Sequence, residues 1–292
     1  MSVKGKCIRV LLILFAFFLS ACPGKVWNIL DEGAIPNDQS IATCNNNTQI
    51  LNNLLQHQAQ RGDTVLIPAP HPFWFNGGIS GSLHDIIIQI DGSIHYQNQR
   101  KYWPTHNDSD RVLEAMSFIN CNNVTFTSSN KLDKGLIDGH GNAWWGAIQY
   151  CVHRENRPRL LYMHNSSNIL IEYIYFKDSP YWTTYLSDVK NVEIHHSNVS
   201  ARLGKKDHHD LFDLTAFNTD GFDVSGDNVW IHDVEIWNDD DCIAVKPLSR
   251  VGQQAQCSQN MLFERINASG IGLTIGSVGA NSNHNCVRNI TF

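Results

Sequence analysis

Zinc-type Cys-X-X-Cys spacing is absent from the chain, and with it the usual framework of a structural zinc site. Asn-Gly pairs between adjacent apolar runs are sparse, which argues against the hairpin-linked strands of a β-sandwich. Basic residues are not in surplus: 22 Lys+Arg against 28 Asp+Glu give a net charge of −6, which excludes a nucleic acid gripped by bulk electrostatics. A local basic patch inside an acidic whole can still hold an acidic sugar. The apolar run from Val10 to Leu19 is too short for a membrane span.

What is present begins with an export signal. Lys4 and Lys6 precede that apolar run and the small residues Ser20 and Ala21 follow it, so residues 1–21 read as a signal peptide and the mature protein as secreted and extracellular. Leu19-Ser-Ala-Cys22 also resembles a bacterial lipoprotein box. Seven Asn-X-Ser/Thr sites, starting at Asn46, Asn107, Asn123, Asn165, Asn198, Asn267 and Asn289, favour a glycosylated eukaryotic product instead. Of eight cysteines, Cys7 and Cys22 fall in the signal region. Cys44, Cys121, Cys151, Cys242, Cys257 and Cys286 remain, an even set that in an exported protein favours disulfides over metal. With 292 residues, 42% of them hydrophobic, the chain can build one large core, and residues 22–292 are taken as one elongated domain.

Ile50, Leu51, Leu54 and Leu55 recur at helical spacing, which predicts an amphipathic helix over about 47–60, stopped by Arg61-Gly62-Asp63. Thr64-Val-Leu-Ile-Pro68 follows as the expected first strand. From residue 80 onward an element recurs, Asn followed by apolar alternation: Asn123-Val-Thr-Phe, Asn168-Ile-Leu-Ile, Asn191-Val-Glu-Ile, Asn228-Val-Trp-Ile and Asn289-Ile-Thr-Phe292. Asn168 and Asn191 are 23 residues apart, and Asn123 and Asn168 are 45, close to twice that. Such a drifting period is what a β-solenoid with loop insertions gives.

Three runs share one phase: Asp220-Gly-Phe-Asp-Val224, Asp241-Cys-Ile-Ala-Val245 and Ile271-Gly-Leu-Thr-Ile275. Side chains alternate faces along a strand, so Phe222/Val224, Ile243/Val245 and Leu273/Ile275 should enter one core. Asp220, Asp241 and Ile271 then stand at equivalent strand mouths, about 4.8 Å apart if the strands stack as coils. An unpaired buried charge costs several kcal/mol, so the chain must bend here and bring the acids to a rim. Asp240 needs the same bend to join Asp241, since alternation alone sends the two to opposite faces.

Asn218-Thr-Asp-Gly221, Asp240-Asp-Cys242 and Gly270-Ile-Gly-Leu-Thr-Ile-Gly-Ser277 resemble three of the four signature blocks of the family 28 glycoside hydrolases, the polygalacturonases. Leu136-Ile-Asp-Gly-His-Gly-Asn-Ala-Trp-Trp145 and Ser179-Pro-Tyr-Trp182 are similar to the same framework. The resemblance implies an all-β, right-handed single-stranded parallel β-helix of the pectin lyase-like kind, closed at its N-terminal end by the helix. It also implies a monomer that hydrolyses pectic polysaccharide with inversion and needs no metal or other cofactor. By position it makes Asp240 the proton donor and Asp220 and Asp241 the acids that activate water. Asn218, Lys246 and Gly272 are the residues expected to touch substrate, and the resemblance pairs Cys242 with Cys257. Two departures matter: Ile271 stands where the family has His, and the family's Arg-Ile-Lys block would fall past Phe292, as in a truncated member.

Other residues have blander readings. Trp144, Trp145 and Trp182 are expected to fill core volume before they stack on sugars. His208 and His209 fall in the charged stretch Lys205–Asp210, read as a solvated loop, and Ile271 has core parity. Lys246 has the outward parity of Asp240 and suits either substrate or the acidic turn. The competing functions are a non-catalytic carbohydrate-binding β-helix, a rhamnogalacturonan hydrolase, and a calcium-dependent pectate lyase.

Overall fold

The computed structural model describes residues 24–146, 155–202, 215–248, 257–279 and 285–292. The expected signal peptide, Cys22, Cys151, His208 and His209 lie outside the described residues. Among those described, eighteen strands join one sheet wound into a parallel β-helix. Each coil contributes to three faces. One face carries Thr64–Ile67, His84–Ile90 and Asn122–Thr127, then the later halves of Leu161–Glu172 and Thr184–His195. The second carries Pro72–Phe75, Ser93–Tyr96, Gly135–Asp138, Ile174–Lys177 and Asn198–Ala201. The third carries Ile79–Gly81, Met116–Ile119, the early halves of the long strands, Asp241–Val245 and Gly272–Ile275.

Parallel register stacks like on like. Val65, Ile88, Phe126, Ile171, Ile194, Ile231 and Phe263 are successive partners, all buried, and form one column of the core. The recurring Asn residues occupy the bend between the third and first faces. Asn123, Asn168, Asn191, Asn228, Asn260 and Asn289 all have φ between 54° and 60°, the left-handed region that Asn tolerates better than other side-chain-bearing residues. Their amides also bond from coil to coil: Asn191 Nδ2 donates to Asn168 Oδ1 at 2.9 Å, and Asn228 Nδ2 to Asn191 Oδ1 at 3.0 Å.

Several expectations are corrected. The first strand is Val26–Asn28, which pairs with Thr64–Leu66. The helix runs Ile41–Asn53, earlier than its apolar spacing predicts, because Ser40 Oγ caps it by accepting from the Thr43 N–H; a π-helical turn, Leu54–Gln58, continues it. Leu51, Leu54 and Leu55 are buried in the main core. The 45-residue interval is one coil, since Val124 pairs directly with Ile169; the surplus is a long insertion after Asp138. Phe222, Val224, Ile243 and Val245 are fully buried, whereas Leu273 and Ile275 are 36% and 49% exposed. Ile271, expected in the core, is 64% exposed. Among the described residues these three lie on the outermost rung of the third face, with a neighbouring strand on one side only.

Candidate active site

The acids are assembled by stacked turns between the second and third faces. Thr183 N donates to Asp220 O at 2.7 Å and Gly221 N to Asp241 O at 2.9 Å, so the 183, 220 and 241 turns lie in successive coils. Asn238, wholly buried, ties two of them: its Nδ2 donates to Thr219 O at 2.9 Å and to Asp241 O at 2.8 Å. Gly221 admits no side chain, because a Cβ there would meet Cys242 O at 2.4 Å. A register shift between Asp241 and Ile243 sets Gly272, not Ile271, against Asp241. The bend that the sequence demands is this set of turns.

One carboxylate oxygen each from Asp220, Asp240 and Asp241 lie within 4.8 Å of one another. Asp240 Oδ2 accepts from the Asn218 N–H at 3.0 Å and Oδ1 from the Asp241 N–H at 2.8 Å. Asp241 is half-buried and accepts from Thr274 Oγ1 at 2.8 Å. Lys246 Nζ lies 2.9 Å from Asp223 Oδ1 and 3.8 Å from Asp220 Oδ2, and 4.8 Å from the centre of the Trp182 ring.

Burial and crowding set the protonation states. Asp220 is raised far above the usual carboxylate range, first by desolvation and then by Asp223 and Asp240, with Lys246 opposing. Among the described residues its Oδ1 is buried without a hydrogen bond, which adds to the cost of a charge there. Asp223, also buried, is raised by desolvation against the pull of Lys246. Asp240 is raised by desolvation, and its two backbone N–H donors oppose this by stabilising the charged form. Burial by itself would lower Lys246, but Asp223 and Asp220 more than offset it and its pKa is raised. Burial and mutual repulsion therefore raise the proton affinity of Asp220, Asp223 and Asp240 together.

Residues 64–292 match the profile of the glycosyl hydrolases family 28. The chain belongs to that family. It is 30% identical over 233 residues to endo-xylogalacturonan hydrolase A of Aspergillus tubingensis, covering 78% of this chain and 51% of the relative. It is 32% identical over 268 residues to rhamnogalacturonase A of Aspergillus niger, covering 88% of this chain and 48% of the relative. The chain thus spans about half the length of these curated relatives. The crystal structure of the Aspergillus tubingensis endo-xylogalacturonan hydrolase superposes with a TM-score of 0.63 at 24% identity, over 87% of this chain and 60% of that one. The fold is the right-handed parallel β-helix of the family.

The family-implied disulfide is corrected. Cys257 bonds Cys286, 29 residues on, and Cys242 is free and buried, its Sγ donating to Asn238 Oδ1 at 3.3 Å. The reason is geometric. Ser258 and Val287 are register partners, so the residues before them are adjacent rungs, whereas Cys242 starts a strand of the third face beside the acid turn. Cys44 and Cys121 are free as well.

Asn218, Asp220, Asp240, Asp241 and Lys246 are brought together. Gly272 lies beside Asp241 with φ 153°, and the space where a Cβ would stand is open for 4 Å around. Trp144 and Trp145 are buried, while Trp182 is half-buried beside Lys246. Sequence reasoning missed Asp223 as the partner of Lys246. Its signal is parity: between Phe222 and Val224, both inward, an acid must face outward, on the rung next to Tyr185.

Proposed function

We propose that the protein is a secreted, monomeric hydrolase that cleaves α-1,4-galacturonosidic bonds of pectin with inversion. The observation that supports this most is the convergence of the Asp220, Asp240 and Asp241 carboxylates within 4.8 Å. An inverting glycosidase needs one carboxylic acid to protonate the leaving oxygen and another carboxylate to activate water. Asp240 is assigned as the donor to the leaving oxygen, and Asp220 and Asp241 as the pair that holds the water. The raised proton affinity of Asp220 and Asp240 supplies the proton. Thr274 Oγ1, donating to Asp241 Oδ2, orients Asp241 for its part in holding the water.

The spacing bears on the stereochemistry. Two carboxyls about 5–5.5 Å apart usually mark retention, and about 6.5–9.5 Å inversion. The compact trio fits inversion only if the water sits against the Asp220–Asp241 pair and not between donor and base. Proton NMR of the first-formed anomer from polygalacturonate decides this: the β anomer is expected, and the α anomer means a carboxylate attacks directly. Asp240→Asn and Asp241→Asn should each lower reducing-end release by about 10²–10⁴-fold. Unchanged release in either would sink the assignment. Binding of pectin fragments with no release by the unaltered protein would mean a carbohydrate-binding role, and loss of activity with chelator a calcium-dependent lyase.

A rhamnogalacturonan backbone is the second reading. The 32% identity to a rhamnogalacturonase over most of the chain favours it. Release from that backbone but not from polygalacturonate would select it.

A further inference from the structure

On the second face, two imidazoles and a carboxylate gather that the acid site does not use. Trp74, His95, Asp138 and Lys177 are successive register partners there, so their side chains form one column across four coils. The column is the outward one, because the residues before them, Phe73, Ile94, Ile137 and Phe176, are wholly or almost wholly buried in the core. His140 joins it from beyond its strand. It has φ 47° and its N–H donates to Asp138 Oδ1 at 2.9 Å, a turn that brings the ring back to the face. The ring of His140 stacks on Trp74 with centres 4.7 Å apart, and that of His95 does so at 5.1 Å.

Three donor atoms converge. His95 Nδ1 lies 3.1 Å from His140 Nε2, and one atom each of His95, Asp138 and His140 lie within 4.8 Å of one another. Two imidazole nitrogens on one tetrahedral ion, each about 2.0–2.1 Å from it, stand about 3.3–3.4 Å apart, so the pair is set close to that spacing. The other nitrogen of His95 is held as well. Nε2 lies 2.9 Å from Ser93 Oγ, which can accept the N–H of the tautomer that frees Nδ1 to bind. Asp138 is buried, but His140 keeps 25% of its side chain exposed, a way in for a solvated ion.

We propose that His95, Asp138 and His140 form a site for a first-row divalent transition metal ion such as zinc, with solvent completing its shell. Two imidazoles and one carboxylate suit zinc, cobalt or nickel, whereas calcium and magnesium take oxygen ligands. The ion replaces the hydrogen bond between the rings, and the proton of that bond moves to the outer nitrogen of the same ring. Lys177 opposes binding. Its ammonium lies 2.7 Å from Asp138 Oδ2 and 3.5 Å from Asp178 Oδ2, and its side chain is 40% exposed, so it can release Asp138 and stay with Asp178. Gly135–Asp138 lies two rungs before Asn198–Ala201, the second-face strand of the Asp220 coil. The ion therefore ties the His95 coil to the Asp138 coil and takes no part in hydrolysis.

The test titrates the metal-free protein with zinc, read by calorimetry and thermal unfolding. One zinc per chain should bind with a Kd of about 1 μM, and calcium should not compete. Zinc at about a hundredfold excess over Kd should raise Tm by about 5 °C, and chelator should reverse the rise. His95→Gln and His140→Ala should each weaken binding at least about tenfold, with circular dichroism of the metal-free variants checking that they fold. Lys177→Gln removes the competing cation and should tighten zinc about tenfold, a gain that loss of folding cannot produce. Zinc binding no tighter than about 1 mM overturns the site. Binding unchanged by all three substitutions overturns it as well, and puts the ion on other histidines.

Discussion

Asp223 and Lys246 govern the acids from behind. Lys246 lies 3.8 Å from Asp220, and Asp223 is its buried counter-ion, so removing the ammonium leaves the desolvated Asp223 carboxylate without its cation. Lys246→Met should destabilise the fold by about 3–5 kcal/mol at neutral pH in urea unfolding, the usual cost of leaving a buried charge unpaired. The loss should shrink in acid, where Asp223 binds a proton, and Asp223→Asn in the same chain should restore most of it. Asp220→Asn has the opposite sign on stability. It removes a carboxylate whose charged form is disfavoured by burial and by two neighbouring acids, so it should raise the unfolding midpoint at pH 8 while it abolishes most hydrolysis. At pH 4 the two proteins should melt together. A midpoint lowered by Asp220→Asn at pH 8 would show that the field at this site has the other sign.

The coil is the element that repeats, and its bend is where single residues matter most. Asn191 has φ 55°, accepts from Asn228 above and donates to Asn168 below. Asn191→Ala loses both bonds and puts a Cβ-bearing residue without a local hydrogen bond in the left-handed region, so a loss of about 2–3 kcal/mol is expected. Asn191→Gly keeps the conformation and should cost less; equal losses would mean that the amide column alone matters. Glycan attachment at Asn123 or Asn289 would take one of the two hydrogens on an amide nitrogen that donates in the same way, to Asp85 and Asn260. The Cys257–Cys286 bond joins two adjacent coils, and Cys257→Ser should cost about 2–4 kcal/mol, read by thermal unfolding. Cys242→Ser should leave that link intact. These elements were half legible in the sequence. The Asn starts and apolar alternation marked the coils, but a 45-residue coil looks like two 23-residue coils until register is known, and the helix cap at Ser40 carries no apolar signal.

At the scale of the molecule, stability should vary with pH in two opposed ways. His95, His140 and His195 have pKa values lowered mainly by burial, His95 to about 4, so they add stability as pH rises through about 4 to 6.5. Asp220, Asp223 and Asp240 have raised values, so their contribution is fully present below the unfolded carboxylate pKa of about 3.9 and is lost as pH rises through the folded values. For Asp220 that window ends near about 9. The unfolding midpoint should therefore peak in mildly acidic solution and fall toward pH 9, and calorimetry across that range checks it. A monotonic rise to pH 9 would contradict the buried acids. The sequence by itself determined the solenoid and set Asp220 and Asp241 at neighbouring strand mouths, because strand parity and the repeated phase of those two acids are local properties that stacking merely propagates, whereas Asp240 joins them only through the turn that its bonds from the Asn218 and Asp241 N–H groups hold. Only the tertiary structure decided which cysteines bond, that Asp223 holds Lys246, and that His95, Asp138 and His140 gather beside Trp74. Each of these joins residues from different coils, and their meeting depends on loop lengths and register, which no single stretch of chain encodes.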